Sequence, residues 1–90
     1  MAAYSVTWKA SALKELNYLP PRETDQIIAV VETLAVNPHS IGSIKLSGVK
    51  NRYRIRVGNY RVIYGVENQE LVVIVVKVAH RREVYRGEWG

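Results

Sequence analysis

Arg52, Arg54, Arg56 and Arg61 crowd one short stretch of the chain, and a second polar cluster, His80-Arg81-Arg82-Glu83-Val84-Tyr85, follows near its end. A guanidinium presents a planar fork of donors that matches phosphate oxygens two at a time. A histidine titrates near neutral pH, and a tyrosine can stack on a base or exchange a proton. No nucleophile elbow, Gly-rich phosphate loop or carboxylate pair accompanies them. The chain has no cysteine, and its two histidines, His39 and His80, lie far apart without metal-ligand spacing, so neither a metal nor another cofactor is expected. One reaction fits such a set. Cleavage of a phosphodiester by RNA's own 2′-hydroxyl needs a base near that oxygen, cations on the pentavalent state and an acid at the leaving 5′-oxygen. Arginines with one tyrosine and one histidine could supply all three.

These residues need a scaffold. Tyr4 to Trp8 alternates as a short strand. Lys9 to Leu19 changes to a helical pattern, with Leu13 and Leu16 on one face, and Pro20-Pro21 ends it. Pro21 can open a second helix, where Ile27, Val30, Val31 and Leu34 make an apolar stripe before Asn37-Pro38 stops it. A mixed stretch with a strand near Ile44 to Leu46 leads to three strands, 52–57, 60–66 and 71–79. Gly58-Asn59 between the first two is a two-residue hairpin signal. The last, Leu-Val-Val-Ile-Val-Val-Lys-Val-Ala, is apolar on both faces and belongs inside the sheet. The expected fold is α+β: an N-terminal strand, a helical hairpin, then an antiparallel meander in the order β-α-α-β-β-β, with the helices on one face of the sheet. Residues 1–90 form a single domain.

The hairpin turn fixes the register. It pairs Val57 with Tyr60, Arg56 with Arg61 and Ile55 with Val62, so Tyr53, Ile55, Val57, Tyr60, Val62 and Tyr64 share one face. The other carries all four arginines. Like charges directly across a ladder cost up to about 1 kcal/mol, which makes sense if an anion sits between the guanidiniums. The alternative is an exposed face whose arginines splay into water. His80 has the parity of Val76 and Val78 and is expected to point at the same patch.

Charge distribution agrees. Residues 1–44 hold three lysines or arginines against four acids, and residues 45–90 hold ten against four, so the net +5 lies entirely in the second half. Such asymmetry points to a polyanionic partner, nucleic acid first. No run is long and apolar enough for a membrane helix. Met1-Ala2-Ala3-Tyr4 lacks the basic flank and apolar core of an export signal, so a cytoplasmic location is expected.

The string from Tyr53 to Tyr64, Tyr-Arg-Ile-Arg-Val-Gly-Asn-Tyr-Arg-Val-Ile-Tyr, with Val78-Ala79-His80-Arg81-Arg82-Glu83-Val84-Tyr85 after it, resembles the RelE/ParE toxin superfamily. Leu46-Ser47-Gly48 and the Trp8-Lys9-Ala10 start of the first helix fit as well. The resemblance covers nearly the whole chain and points to the RelE branch: messenger-RNA interferases that cleave codons in the ribosomal A site without a metal. It implies that Arg54, Arg56 and Arg61 surround the scissile phosphate. Arg81 would stabilise or protonate the leaving group. Tyr85 would stack on the substrate and take part in proton transfer, and His80 stands where relatives use histidine or lysine. Arg52, Lys45, Lys50, Lys77 and Arg82 would hold the RNA. The chain departs from the branch in carrying arginine at 54 and 56, where lysine is frequent, and arginine is a poor base. Tyr85 or His80 is then the candidate base. The resemblance also implies an acidic antitoxin in a neutralising hetero-oligomer, with ribosome and messenger RNA as further partners. A ParE-like inhibitor of DNA gyrase, or a non-catalytic nucleic-acid-binding module, are the competing readings.

Overall fold

The computed structural model describes residues 3–39, 42–48 and 50–80. Strand β1 (Ser5–Trp8) leads into helices α1 (Ala10–Asn17) and α2 (Pro21–Val36), followed by β2 (Ser43–Lys45), β3 (Arg52–Val57), β4 (Tyr60–Glu67) and β5 (Val72–His80). This is the expected order, and the strand expected near Ile44 to Leu46 is the three-residue edge strand β2. Pro20 caps α2 and Pro21 fills its first turn, where a missing N–H is harmless. The Thr24 hydroxyl donates to the Leu16 and Leu19 carbonyls at 3.2 and 3.4 Å, so α2 caps the end of α1 across the Pro-Pro corner.

All five strands form one sheet in the order β1-β5-β4-β3-β2. The meander from β2 to β5 is antiparallel, whereas β1 pairs with β5 in parallel. The sheet is therefore mixed rather than purely antiparallel. The apolar run of β5 lies between β1 and β4, so its edges are paired, and its residues are buried or half-buried toward both the helix-side core and the thin apolar layer on the other face. Gly58 alone takes a positive φ in the β3–β4 turn, +59°, as the first central residue of a type II′ hairpin does.

Both helices cover one face. Ala12 and Leu16 of α1 and Ile27, Val31 and Leu34 of α2 pack on Ile55, Val57, Val62, Tyr64, Val66, Val73, Val75 and Val78. In α1 the buried pair is Ala12 and Leu16, one helical turn apart, while Leu13 is 44% exposed and lies off the contact face. Among the described residues, the other face carries a thin apolar layer, Leu46, Ile63, Val76 and Ala79 with Ile74 against it, and no helix. Among the described residues, no helix is long and apolar enough to cross a membrane.

Candidate nucleic-acid interface

The observed register places the arginines as their alternation dictates. Arg56 pairs with Arg61, Arg54 with Ile63 and Arg52 with Gly65, all on the face opposite α1 and α2. Arg54, Arg56 and Arg61 converge on a cleft of about 240 Å³ whose remaining wall is Gly42 and Ile44 from the edge of the sheet. Arg61 is the buried charge of this wall, 6% exposed, and Arg56 at its side is open to solvent. The Arg56 Nε donates to the Gly58 carbonyl at 3.3 Å, which folds that side chain back over the hairpin. Across β3 and β4 the sole acid is Glu67, at the far end of β4 opposite Val72. A cleft lined by three guanidiniums in a partly desolvated setting is built to take an anion with several oxygens.

Arg52 is held differently. A Cβ placed on Gly65 would run into the Arg52 guanidinium, so the side chain lies flat across the glycine of the facing strand. A glycine inside a strand commonly marks such a close approach.

Four expected residues stand elsewhere. Lys45 and Lys50 line a separate groove of about 420 Å³ with Leu46, Ser47 and Gly48, and Lys45, opposite Tyr53, alternates away from the arginine face. The Lys77 ammonium is 2.9 Å from the Glu15 carboxylate of α1, which draws it to the helix side of the sheet. His80 is corrected most clearly. The β4–β5 ladder is irregular: Ile63 faces Lys77 but Tyr64 faces Val75, so β5 carries one extra residue. Val76 lies with the arginine-face apolar layer, whereas Val78 lies in the helix-side core. Alternation broken at that bulge turns His80 to the helix side. It pairs with Tyr60 and meets that ring edge-on at 5.6 Å, in a cleft shared with Glu15, Tyr18 and Leu19. Arg81, Arg82 and Tyr85 lie outside the described residues.

The family model described as the ParE toxin of type II toxin-antitoxin systems matches residues 6–85. The chain is 30% identical to toxin RelG of Mycobacterium tuberculosis over 87 residues, covering 92% of this chain and 97% of that one. It is 33% identical to toxin RelE3 of Methanocaldococcus jannaschii over 85 residues, covering 89% and 93%. The chain belongs to the RelE/ParE toxin superfamily, on its RelE branch. It is a RelE-like toxin of a type II toxin-antitoxin system. The fold agrees with the isolated Escherichia coli RelE toxin at a TM-score of 0.78 and 28% identity, covering 87% of this chain and 84% of that one. The archaeal RelE–RelB complex from Pyrococcus horikoshii gives 0.77 at 30% identity, covering 90% and 97%.

Two residues of this RelE-like toxin escape a reading of its sequence. Gly65 carries a usable signal, a lone glycine in a β pattern, and its partner across the ladder follows from the Gly58-Asn59 turn. Glu15 carries none. It is one of two charged residues on a short helix, next to Lys14, yet its Oε1 accepts the Val78 N–H at 2.9 Å. Tyr64, in contrast, belongs to the scaffold. Its hydroxyl donates to the Pro38 carbonyl at 2.7 Å, and burial raises its pKa above the ordinary 10.0.

Proposed function

We propose that this toxin is a ribosome-dependent endoribonuclease, cleaving messenger RNA in the A site by attack of the 2′-hydroxyl and so stopping translation. The observation that supports this best is the convergence of Arg54, Arg56 and Arg61 on one open cleft of the sheet. In-line attack builds negative charge on the phosphoryl oxygens, and fixed guanidiniums at that point favour the transition state over the ground state. The scissile phosphate sits in the cleft, with Arg52 and Arg82 along the RNA backbone and Lys45 and Lys50, from their separate groove, holding more distant RNA. Arg81 serves the leaving 5′-oxygen. Arginine keeps its proton, so Tyr85 is the base or stacking group. His80, beside Tyr60 on the helix side, has no part in this arrangement. The route needs no metal, because the nucleophile is the RNA's own hydroxyl and the charge is met by arginine.

The solved relatives from Mycobacterium tuberculosis and Pyrococcus horikoshii are complexes of toxin with antitoxin. By that similarity this chain is neutralised by an acidic antitoxin in a hetero-oligomer, in the cytoplasm, where ribosomes and messages are.

A second reading has an observation of its own, since the matching family model is that of ParE toxins. A ParE-like chain would block DNA gyrase by binding alone. Inducible expression with primer extension on a translated reporter separates the two. Codon-phased cuts that require translation and vanish in Arg81→Ala/Tyr85→Phe are expected. Growth arrest with intact message and a positive gyrase supercoiling assay would replace the nuclease with the gyrase inhibitor.

A further inference from the structure

Glu15 stands on α1, across the sheet from the arginine cleft, yet its carboxylate is fixed to the one place where β5 breaks its alternation. Oε1 accepts the Val78 N–H and Oε2 the Lys77 ammonium, both at 2.9 Å. Before the break, Val73 and Val75 face the helices while Ile74 and Val76 face the arginines. After it, Val78 faces the helices and Ala79 the arginines. An unbroken strand continuing from the Tyr64–Val75 pair would set Lys77 against Val62, in the core, and Val78 beside Arg61. With the extra residue, Val62 meets Val78 and the buried Arg61 meets Ala79. A methyl group in place of an isopropyl group leaves room for a guanidinium.

We propose that Glu15 is a positioning residue. By taking one backbone N–H and one ammonium at the bulge, it holds the register of the end of β5, and with it Ala79 beside Arg61 and the point from which the chain runs on into Arg81. A part-buried backbone N–H demands an acceptor, and a carboxylate supplies a charge-assisted one. The register is a claim about the fold. Its consequence for cleavage rests on the nuclease reading given above.

The test uses the full-length toxin in three variants, followed by amide hydrogen exchange and ring-to-ring contacts in NMR. Glu15→Gln keeps an acceptor for Val78, so Val78 protection, the Tyr60–His80 contact and cleavage stay within about threefold of wild type. Glu15→Ala loses both bonds, so Val78 and Ala79 exchange about tenfold faster or more, in line with an unmet buried donor. The Tyr60–His80 contact is lost, and kcat falls about tenfold while KM for programmed ribosomes holds, as expected when a reacting group is misplaced rather than a binding group removed. Should Glu15→Ala fail to fold, Glu15→Asp gives the same reading, with the charge kept and the carboxylate one methylene short of Val78. Unchanged Val78 protection in Glu15→Ala, or exchange raised evenly over the whole sheet, overturns the proposal. If Val78 responds as expected but the wild-type chain cuts no message, the register assignment stands and only the nuclease reading falls.

Discussion

Alternate residues of β3 and β4 go to opposite sides of the sheet, and the two sides differ in everything that burial controls. Toward the helices, Ile55, Val57, Val62 and Tyr64 meet five apolar helix residues, and the polar atoms that enter are bonded: Tyr64 to the Pro38 carbonyl, Glu15 to Val78 and Lys77. Toward the open side, Arg52, Arg54, Arg56 and Arg61 stand over a thin apolar layer, with two arginines directly across the ladder. One side minimises free energy. The other sets like charges across the ladder, an arrangement that a bound anion would relieve, and this is the side to which the proposed chemistry is assigned.

Substitutions should therefore act in opposite senses on the two sides. The largest effect is expected from Ile27→Ala, which empties a fully buried site and should cost about 2–5 kcal/mol in urea unfolding. Tyr64→Phe comes next, at about 1 kcal/mol, through the lost bond to Pro38. It also carries a pH signature. Burial raises the folded-state pKa of Tyr64, so its contribution is complete below the unfolded value of 10.0 and is lost as pH rises through the folded value. Stability should fall above pH 10 in the wild type and fall less in Tyr64→Phe. Arg56→Glu should do the reverse of a core variant. Facing Arg61 with a carboxylate should raise stability by about 0.5–1 kcal/mol while removing cleavage. A melting temperature lowered by this change would show that Arg56 is structural. The smallest effect on stability is expected from Gly65→Ala, which asks only that Arg52 swing aside. Tm should hardly move, while the salt dependence of RNA binding should weaken by about one unit of slope.

The arginine face was legible because it follows from two local facts, a two-residue turn and the period of a strand. Once Gly58-Asn59 sets Val57 opposite Tyr60, every pair back to Arg52 and Gly65 is determined. The α2 stripe of Ile27, Val31 and Leu34 was legible for the same reason. His80 was not. Its face depends on one extra residue in β5, and a run of Val-Val-Ile-Val-Val has no polar mark to show where alternation breaks. The group that meets the end of β5 there, Glu15, lies 63 residues from Val78 in the chain. The burial of Arg61 was hidden likewise, since it depends on Ala79 beside it and on Gly42 and Ile44 closing the cleft. Lys77 looked like one more cation of a basic half, and only the docking of α1 gives it to Glu15. Local geometry could be read from neighbours in sequence, whereas these three placements are set by contacts between distant elements.

The most direct test compares wild type and Arg56→Glu at matched expression, mapping cut sites on a translated reporter message while measuring the melting temperature of each purified chain. Codon-phased cuts by the wild type, none by Arg56→Glu, and a melting temperature for the variant equal to or above that of the wild type are the predicted result. Undiminished cuts by a folded Arg56→Glu would contradict the assignment of function to the arginine face.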